Sequence, residues 1–433
     1  MWKSTYTFSC GLSCIALRAL LVPASAADLE RDIEAVDAHV VTWRRDFHQN
    51  PELSNREVRT AKVVADHLKK LGLEVRTGIA KTGVLGVLKT GKPGPVIALR
   101  ADMDALPVTE RVDVPFKSLA KSSYRGEEVG VMHACGHDSH TAVLMGVAEA
   151  VTKMKGQLRG TVLFVFQPAE EGAPPGEEGG ASVMLREGVF KDYKPEVMFG
   201  WHAWSSLNTG QIGYRSGPFF ADSHAWRAVI TGRQAHGSAP WKGVDPIVVS
   251  AQIVNAMQTV VSRQTDITEI PAAFSVGIIK GGVRNNIIPD TVELIGTLRT
   301  FSPEQKAKMV ANATRLFEKT AEASGATATF ELDAYYNPVT VNDPKLTAMM
   351  LPSLNRVAGE ANVRVVPLVT GAEDFAYFAK EIPSFYFAVG VTPAGQDAVA
   401  APVNHSPLFY LDEKALPLAT RAMTAIAVDY LSK

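Results

Sequence analysis

The sequence predicts an α/β fold: a mainly parallel-sheet catalytic domain with a smaller α+β, ferredoxin-like lid domain inserted into it. Three observations predict it. Short apolar runs alternate with helical stretches, the pattern of a sheet buried on both faces. Several of those runs lead into acidic residues or histidine, and open α/β sheets build their sites beyond the carboxyl ends of the strands. From about residue 216 the order changes to β-α-β-β-α-β, which marks a separate unit.

The first 26 residues read as a secretory signal. Lys3 gives a positive start, an apolar stretch from 8 to 22 is interrupted by Arg18, and Ala24-Ser25-Ala26 is a small-x-small cleavage site. Export to the periplasm or the medium is the expectation, with Ala27 as the mature N-terminus. Helical periodicity over 28–49 and 55–71 is broken by Asn50-Pro51. Apolar runs at 96–99, 162–166, 197–199, 365–369 and 385–389 are strand candidates, with helices at 139–154 and 345–358 among them. In the inserted unit, strands are expected at 225–230, 273–279, 291–298 and 326–332, and helices at 245–263 and 303–323. The division that follows is a signal at 1–26, a first catalytic segment at 27–215, the lid at 216–332, and a second catalytic segment at 333–433. About 400 mature residues exceed one compact core.

Composition narrows the function classes. Without Lys3 and Arg18 the balance is 42 basic against 45 acidic residues, which argues against a general nucleic-acid or anionic-membrane surface. No stretch after the signal is long and apolar enough to span a bilayer. Of three cysteines, Cys10 and Cys14 lie in the signal, so export leaves Cys135 alone. A lone thiol in an oxidising compartment is a liability unless something such as a metal occupies it.

The chemistry centres on His133-Ala134-Cys135-Gly136-His137-Asp138-Ser139-His140. Cys135 and His137 are two apart and can reach one ion, and thiolate with imidazole suits zinc and its divalent neighbours. Glu170-Glu171 follows an apolar strand, so one carboxylate can bind metal while the other acts as base. His202 and His405 are further ligand candidates. His39, His48, His67 and His224 read as ordinary satisfied polar residues, and His133 and His140 as supports behind the ligands. No Gly-x-Ser-x-Gly elbow, phosphate loop or paired-cysteine deaminase pattern occurs. A thiol hydrolase centred on Cys135 is the remaining rival chemistry.

Several ordered segments carry a family resemblance. They are residues 44–53, Leu99-Arg100-Ala101-Asp102-Met103-Asp104, Cys135-Gly136-His137-Asp138, Gln167-Pro168-Ala169-Glu170-Glu171, the turn at His236, the Asn286 segment, Gly371-Ala372-Glu373-Asp374-Phe375 and Asn404-His405. Through them the chain resembles the di-metal amidohydrolases of hippurate hydrolase and indole-acetyl-amino-acid hydrolase type, grouped with aminoacylases and carboxypeptidase G.

The resemblance implies that Cys135, His137, Glu171, His202 and His405 hold two divalent metal ions (Zn, Mn, Co or Ni). It makes Glu170 the general base and brings His236 from the lid to the reacting carbonyl. It assigns Asn286 and Arg299 to substrate oxygens, Arg299 to a free carboxylate, and Asp104 to a supporting position. The wider clan has histidine where this chain has Asp102, and residues 173–178 look like an insertion beside the site. The implied substrate is an N-acyl amino acid or a small C-terminal peptide-like amide. Deacetylase and dipeptidase activities of the same clan are alternatives, as is a non-catalytic binding protein with a structural metal. A homo-oligomer through the lid domain is compatible with this reading.

Overall fold

The computed structural model describes residues 26–432 apart from 269. The signal expected at 1–26, with Cys10 and Cys14, lies outside the described residues except for Ala26. Among the described residues no helix is long and apolar enough to cross a membrane.

Eight strands form the main sheet. Its centre is four parallel neighbours in the order Thr161–Gln167, Val96–Asp102, Val197–Asn208 and Ser384–Thr392. The antiparallel pair Glu74–Ile79 and Gly83–Lys89 extends one side, and the short strands Ile212–Tyr214 and Val363–Val365 close the other. Alternate residues of each strand point to opposite faces. Ile97, Leu99, Val162 and Phe164 therefore pack against helices Ala26–Gln49, His137–Met154 and Ala415–Leu431. Ala98, Leu163, Val165 and Met198 meet helices Gly180–Arg186 and Phe375–Glu381 on the other face. Burial on both faces explains why these strands read as unbroken apolar runs.

One expected strand is largely absent. Of the run 365–369, only Val365 belongs to a strand, and Val369 makes an isolated bridge to Phe220. Pro367 has no N–H to donate and breaks the ladder between them.

The second sheet is antiparallel, in the order Ala273–Gly281, Thr291–Arg299, Ser223–Thr231, Thr327–Asn337. Helices Pro246–Ser262 and Pro303–Glu322 cover one face around Trp226, Ile253, Met257 and Phe317. Both helices begin with a side-chain cap and a proline in the first turn: Asp245 accepts from the Ile247 and Val248 N–H groups, Ser302 from Gln305 N–H. Strand order and connections make this unit ferredoxin-like. Its last strand runs to Asn337, past 332, because Asn337 still pairs with Ser223. At the edge of the unit Asp222 braces two adjacent strand ends, accepting from the Thr300 N–H and hydroxyl at 2.6 and 2.8 Å.

Candidate metal centre

The parallel strands aim their carboxyl ends at one place. Asp102 ends the strand Val96–Asp102 and Asp104 follows it; Glu170 and Glu171 follow Thr161–Gln167; His202 lies within Val197–Asn208. Helix His137–Met154 starts at the same place. Gly136 precedes it at φ +92°, and a Cβ there would lie 2.9 Å from the Ala203 methyl. Glycine therefore permits the sharp entry between Cys135 and His137.

Cys135 Sγ lies 3.4 Å from His202 Nε2. His202 Nδ1 is 2.7 Å from the Ala203 carbonyl, and His137 Nδ1 is 2.9 Å from the Asp104 carbonyl. Each ring can donate through Nδ1, which leaves Nε2 as the acceptor facing the cluster. His137 Nε2 is buried with no hydrogen-bond partner. It lies 3.9 Å from one oxygen each of Glu170 and Glu171. His405 Nε2 is 3.0 Å from Glu171 Oε1. Donor atoms of Cys135, His137 and His202 converge, as do those of Cys135, Glu171 and His405 and those of His137, Glu170 and Glu171. These overlapping groups fit adjacent cations: thiolate, imidazole and carboxylate donors face one another with an orphaned Nε2 among them.

The electrostatics agree. Burial acts to lower the His137 pKa, yet Asp102, Asp104 and Glu171 outweigh it and hold the ring at about 10, so with no ion bound the ring itself carries the positive charge that a cation at Nε2 would replace. Burial, then the charges of Glu171 and Glu170, push the Cys135 thiol well above its usual range. Burial, with Glu373, Glu171 and Asp374, pushes Glu170 up in the same way. The protein gathers negative charge here and attracts positive charge to it.

His140 is not free to ligate. The Ala203 N–H donates to its Nε2 at 2.8 Å, so its Nδ1 carries the proton and donates to Asp102 at 2.6 Å. Both of its ring nitrogens are thus engaged within the protein. His133 is buried with both ring nitrogens unpartnered, and burial lowers its pKa to about 3, which keeps it neutral. Asn404 joins three segments: its amide donates to the Cys135 and Ala203 carbonyls, and its oxygen accepts from Ser205.

The turn carrying Glu170 and Glu171 is held by two carboxylates. Glu57 accepts the Ala169 N–H at 2.9 Å, and Asp104 accepts those of Glu170 and Glu171 at 3.0 Å each. Ala169 adopts φ +52°, an unfavourable conformation for a residue with a Cβ. These bonds stabilise it. Nearby, Arg100 is fully buried and donates to Asp102, Gln167, Glu373 and Asp374. The sequence pattern singles out neither Glu57 nor Arg100 for a role. A charged residue inside an apolar run, Leu99-Arg100-Ala101, is the signal that marks the second.

A cavity of about 500 Å³ opens beside these donors. Cys135, Glu170, Glu171, His202 and His405 line it, with Arg299 from the inserted unit. Arg299 is half-buried, and burial lowers its pKa while Asp222 opposes that shift. His236 and Asn286 do not line this cavity. They sit together in the inserted unit, where His236 pairs with Ile287 and the Gly237 N–H donates to the Asn286 carbonyl. His236 is exposed, with Nδ1 2.7 Å from the Ser238 hydroxyl.

Comparisons with known proteins point to one family. Residues 98–429 match peptidase family M20/M25/M40. Thermostable carboxypeptidase 2 of Saccharolobus solfataricus is 38% identical over 94% of this chain and 98% of its own length. IAA-amino acid hydrolase ILR1-like 2 of Arabidopsis thaliana is 36% identical, over 91% and 85%. The crystal structure of the Bacillus subtilis YXEP protein, described as a dinuclear metal-binding peptidase of the M20 family, aligns with a TM-score of 0.75 at 33% identity, over 92% of this chain and 99% of that one.

Proposed function

The chain belongs to peptidase family M20/M25/M40 and is a metal-dependent amidohydrolase, and on that premise we propose which residues do the work and on what substrate. Cys135, His137, Glu171, His202 and His405 hold two divalent ions, drawn from Zn, Mn, Co or Ni. When bound, the ions supply Lewis-acid activation of water and of the amide carbonyl. Glu170 takes the proton from the attacking water and returns one to the leaving amine. Arg299 binds a substrate carboxylate through its planar fork. The substrate is an N-acyl amino acid or a small peptide-like amide.

One observation carries this reading. The converging thiol, imidazole and carboxylate donors share a cavity with Glu170 and with a half-buried arginine. A non-catalytic binding protein would need the donors but not a second carboxylate beside them, so Glu170 favours the enzyme. We further propose that closing of the inserted unit carries His236 and Asn286 towards the substrate and excludes water, and that the mature protein begins at Ala27 after export. Hydrolysis of hippurate and acetyl-methionine by the metal-loaded protein, with and without chelator, tests the reading. Turnover that survives verified metal removal would falsify it. Mass measurement of the exported protein tests the cleavage site.

A further inference from the structure

A second hollow, about 180 Å³ in volume, shares only Glu171 and Gly172 with the catalytic cavity. Leu53, Leu106, Pro107, Tyr124, Pro174 and Pro175 give it mainly apolar walls. Three of its polar neighbours are already engaged. The Ser54 hydroxyl donates to Asp104 at 2.7 Å, Arg56 pairs with Glu177 at 2.5 Å, and the Arg125 guanidinium sits 5.4 Å from the centre of the Tyr124 ring.

The walls are held in place. Glu177 accepts hydrogen bonds from Asn55, Arg56 and Lys81, which pins the segment 173–178 against the main body. Pro174 and Pro175 stiffen that segment further. The facing wall is the hairpin of Lys121–Tyr124 and Glu127–Gly130, and Tyr124 packs onto Leu53, Ala105 and Val131. The segment that looks like an insertion is therefore one side of a built pocket that reaches the catalytic cavity's wall at Glu171 and Gly172.

We propose that this hollow is the acyl subsite and that it takes acyl groups of about one aromatic ring. The proposal rests on the functional reading above, in which Arg299 binds the carboxylate of the amino-acid half. A substrate anchored there, with its amide beside Glu170 and Glu171, must direct its acyl half elsewhere. The hollow that meets the catalytic cavity at Glu171 and Gly172 receives it. Its volume suits the size: an apolar cavity of about 150 Å³ holds a benzene molecule. Burying such a ring stabilises the complex without demanding any new polar partner.

The test is an acyl series on one amino acid: N-acetylglycine, N-benzoylglycine and N-(4-phenylbenzoyl)glycine, with the metal-loaded enzyme. N-benzoylglycine should show kcat/KM at least tenfold above both others. Ser123→Trp places a large group at the hollow's exposed lip, and Tyr124→Ala removes a wall. Each should lower the benzoyl-to-acetyl ratio of kcat/KM at least tenfold. A flat series in the parent enzyme, or an unchanged ratio in both variants, overturns the subsite while leaving the functional reading intact. Failure to hydrolyse any of the three overturns that reading and the subsite with it.

Discussion

Oδ1 of Asp104 accepts the backbone N–H of Glu170 at 3.0 Å. Its other oxygen does the same for Glu171, and the Ser54 hydroxyl donates to that oxygen as well. One buried carboxylate thus fixes both the proposed base and a proposed ligand without touching either side chain. Asp104→Asn keeps the shape but turns an amide donor towards one of those N–H groups. Metal affinity should fall about 10- to 100-fold, the usual cost of losing such a supporting bond. Calorimetric titration with Zn or Mn measures it, and unchanged affinity would remove Asp104 from this role.

Glu170 and Glu171 should separate by their defects. Glu170→Gln should retain its metal and lose turnover at least a hundredfold or so, the scale of general acid–base help. Glu171→Gln should lose metal first and regain activity as metal is raised. Metal content by atomic emission, read alongside kcat, distinguishes them. The reverse pattern would exchange the two assignments.

Chelation should abolish activity and lower Tm together. Without ions, Cys135, Glu170 and Glu171 are left facing one another with no cation to join them; burial first, then the charge of neighbouring carboxylates, pushes Cys135 and Glu170 up, so these donors take protons and the links through the ions are lost. Adding Mn, Zn, Co or Ni should restore both properties to differing degrees, because a mixed donor set does not select one ion strictly. Full activity without Tm change after exhaustive metal removal would contradict this.

The legible regions of the molecule are those set by local chemistry. Apolar runs buried on both faces mark the central strands, and the β-α-β-β-α-β order marks the inserted unit. Cys135, His137, Glu170 and Glu171 stand out because donors two apart, or paired after a strand, share a neighbourhood before any folding. Arg100 and Glu57 do not, since their partners come from distant segments: Arg100 meets Glu373 and Asp374, and Glu57 meets Ala169 and Thr82. The strand expected at 365–369 fails because Pro367 interrupts the ladder that the apolar content suggests. His236 and Arg299 show a further limit. Both lie in the inserted unit, yet only Arg299 reaches the cavity, and sequence order carries no information on which loop faces the site.

His48 should give stability a pH dependence. It is buried between two carboxylates, 2.7 Å from Asp138 and 3.0 Å from Glu110, with Arg44 and the Phe116 ring beside it. Burial and Arg44 lower its pKa, but the bonds to Asp138 and Glu110 prevail and raise it above the ordinary value. A raised folded pKa means the contribution is complete below about pH 6.5, the unfolded value, and fades as pH rises through the folded one. His48→Gln should therefore lower Tm most near pH 6, and the gap to the parent should narrow towards pH 9. A gap that is constant or widens would show that His48 is neutral in the fold.

Arg299 and His236 should differ in what they discriminate. Arg299 lines the cavity from the inserted unit, while the metal donors lie in the main body. A carboxylate held by Arg299 would thus link the two units across the scissile amide, so binding energy would be used for positioning. Arg299→Ala should lower kcat/KM for free-acid substrates far more than for the matching neutral amides or esters. A charged, hydrogen-bonded contact of this kind is worth about 1.5–3 kcal/mol, or roughly ten- to a hundredfold in rate. His236→Ala should lower turnover of both substrate classes alike, because its proposed partner is the reacting carbonyl, which both share. Arg299→Lys sharpens the test: it keeps the charge but loses the planar fork, so it should recover some of the acid preference and not all of it. Equal losses for acid and neutral substrates at Arg299 would rule out the carboxylate contact and point instead to a deacylase indifferent to a free carboxyl group.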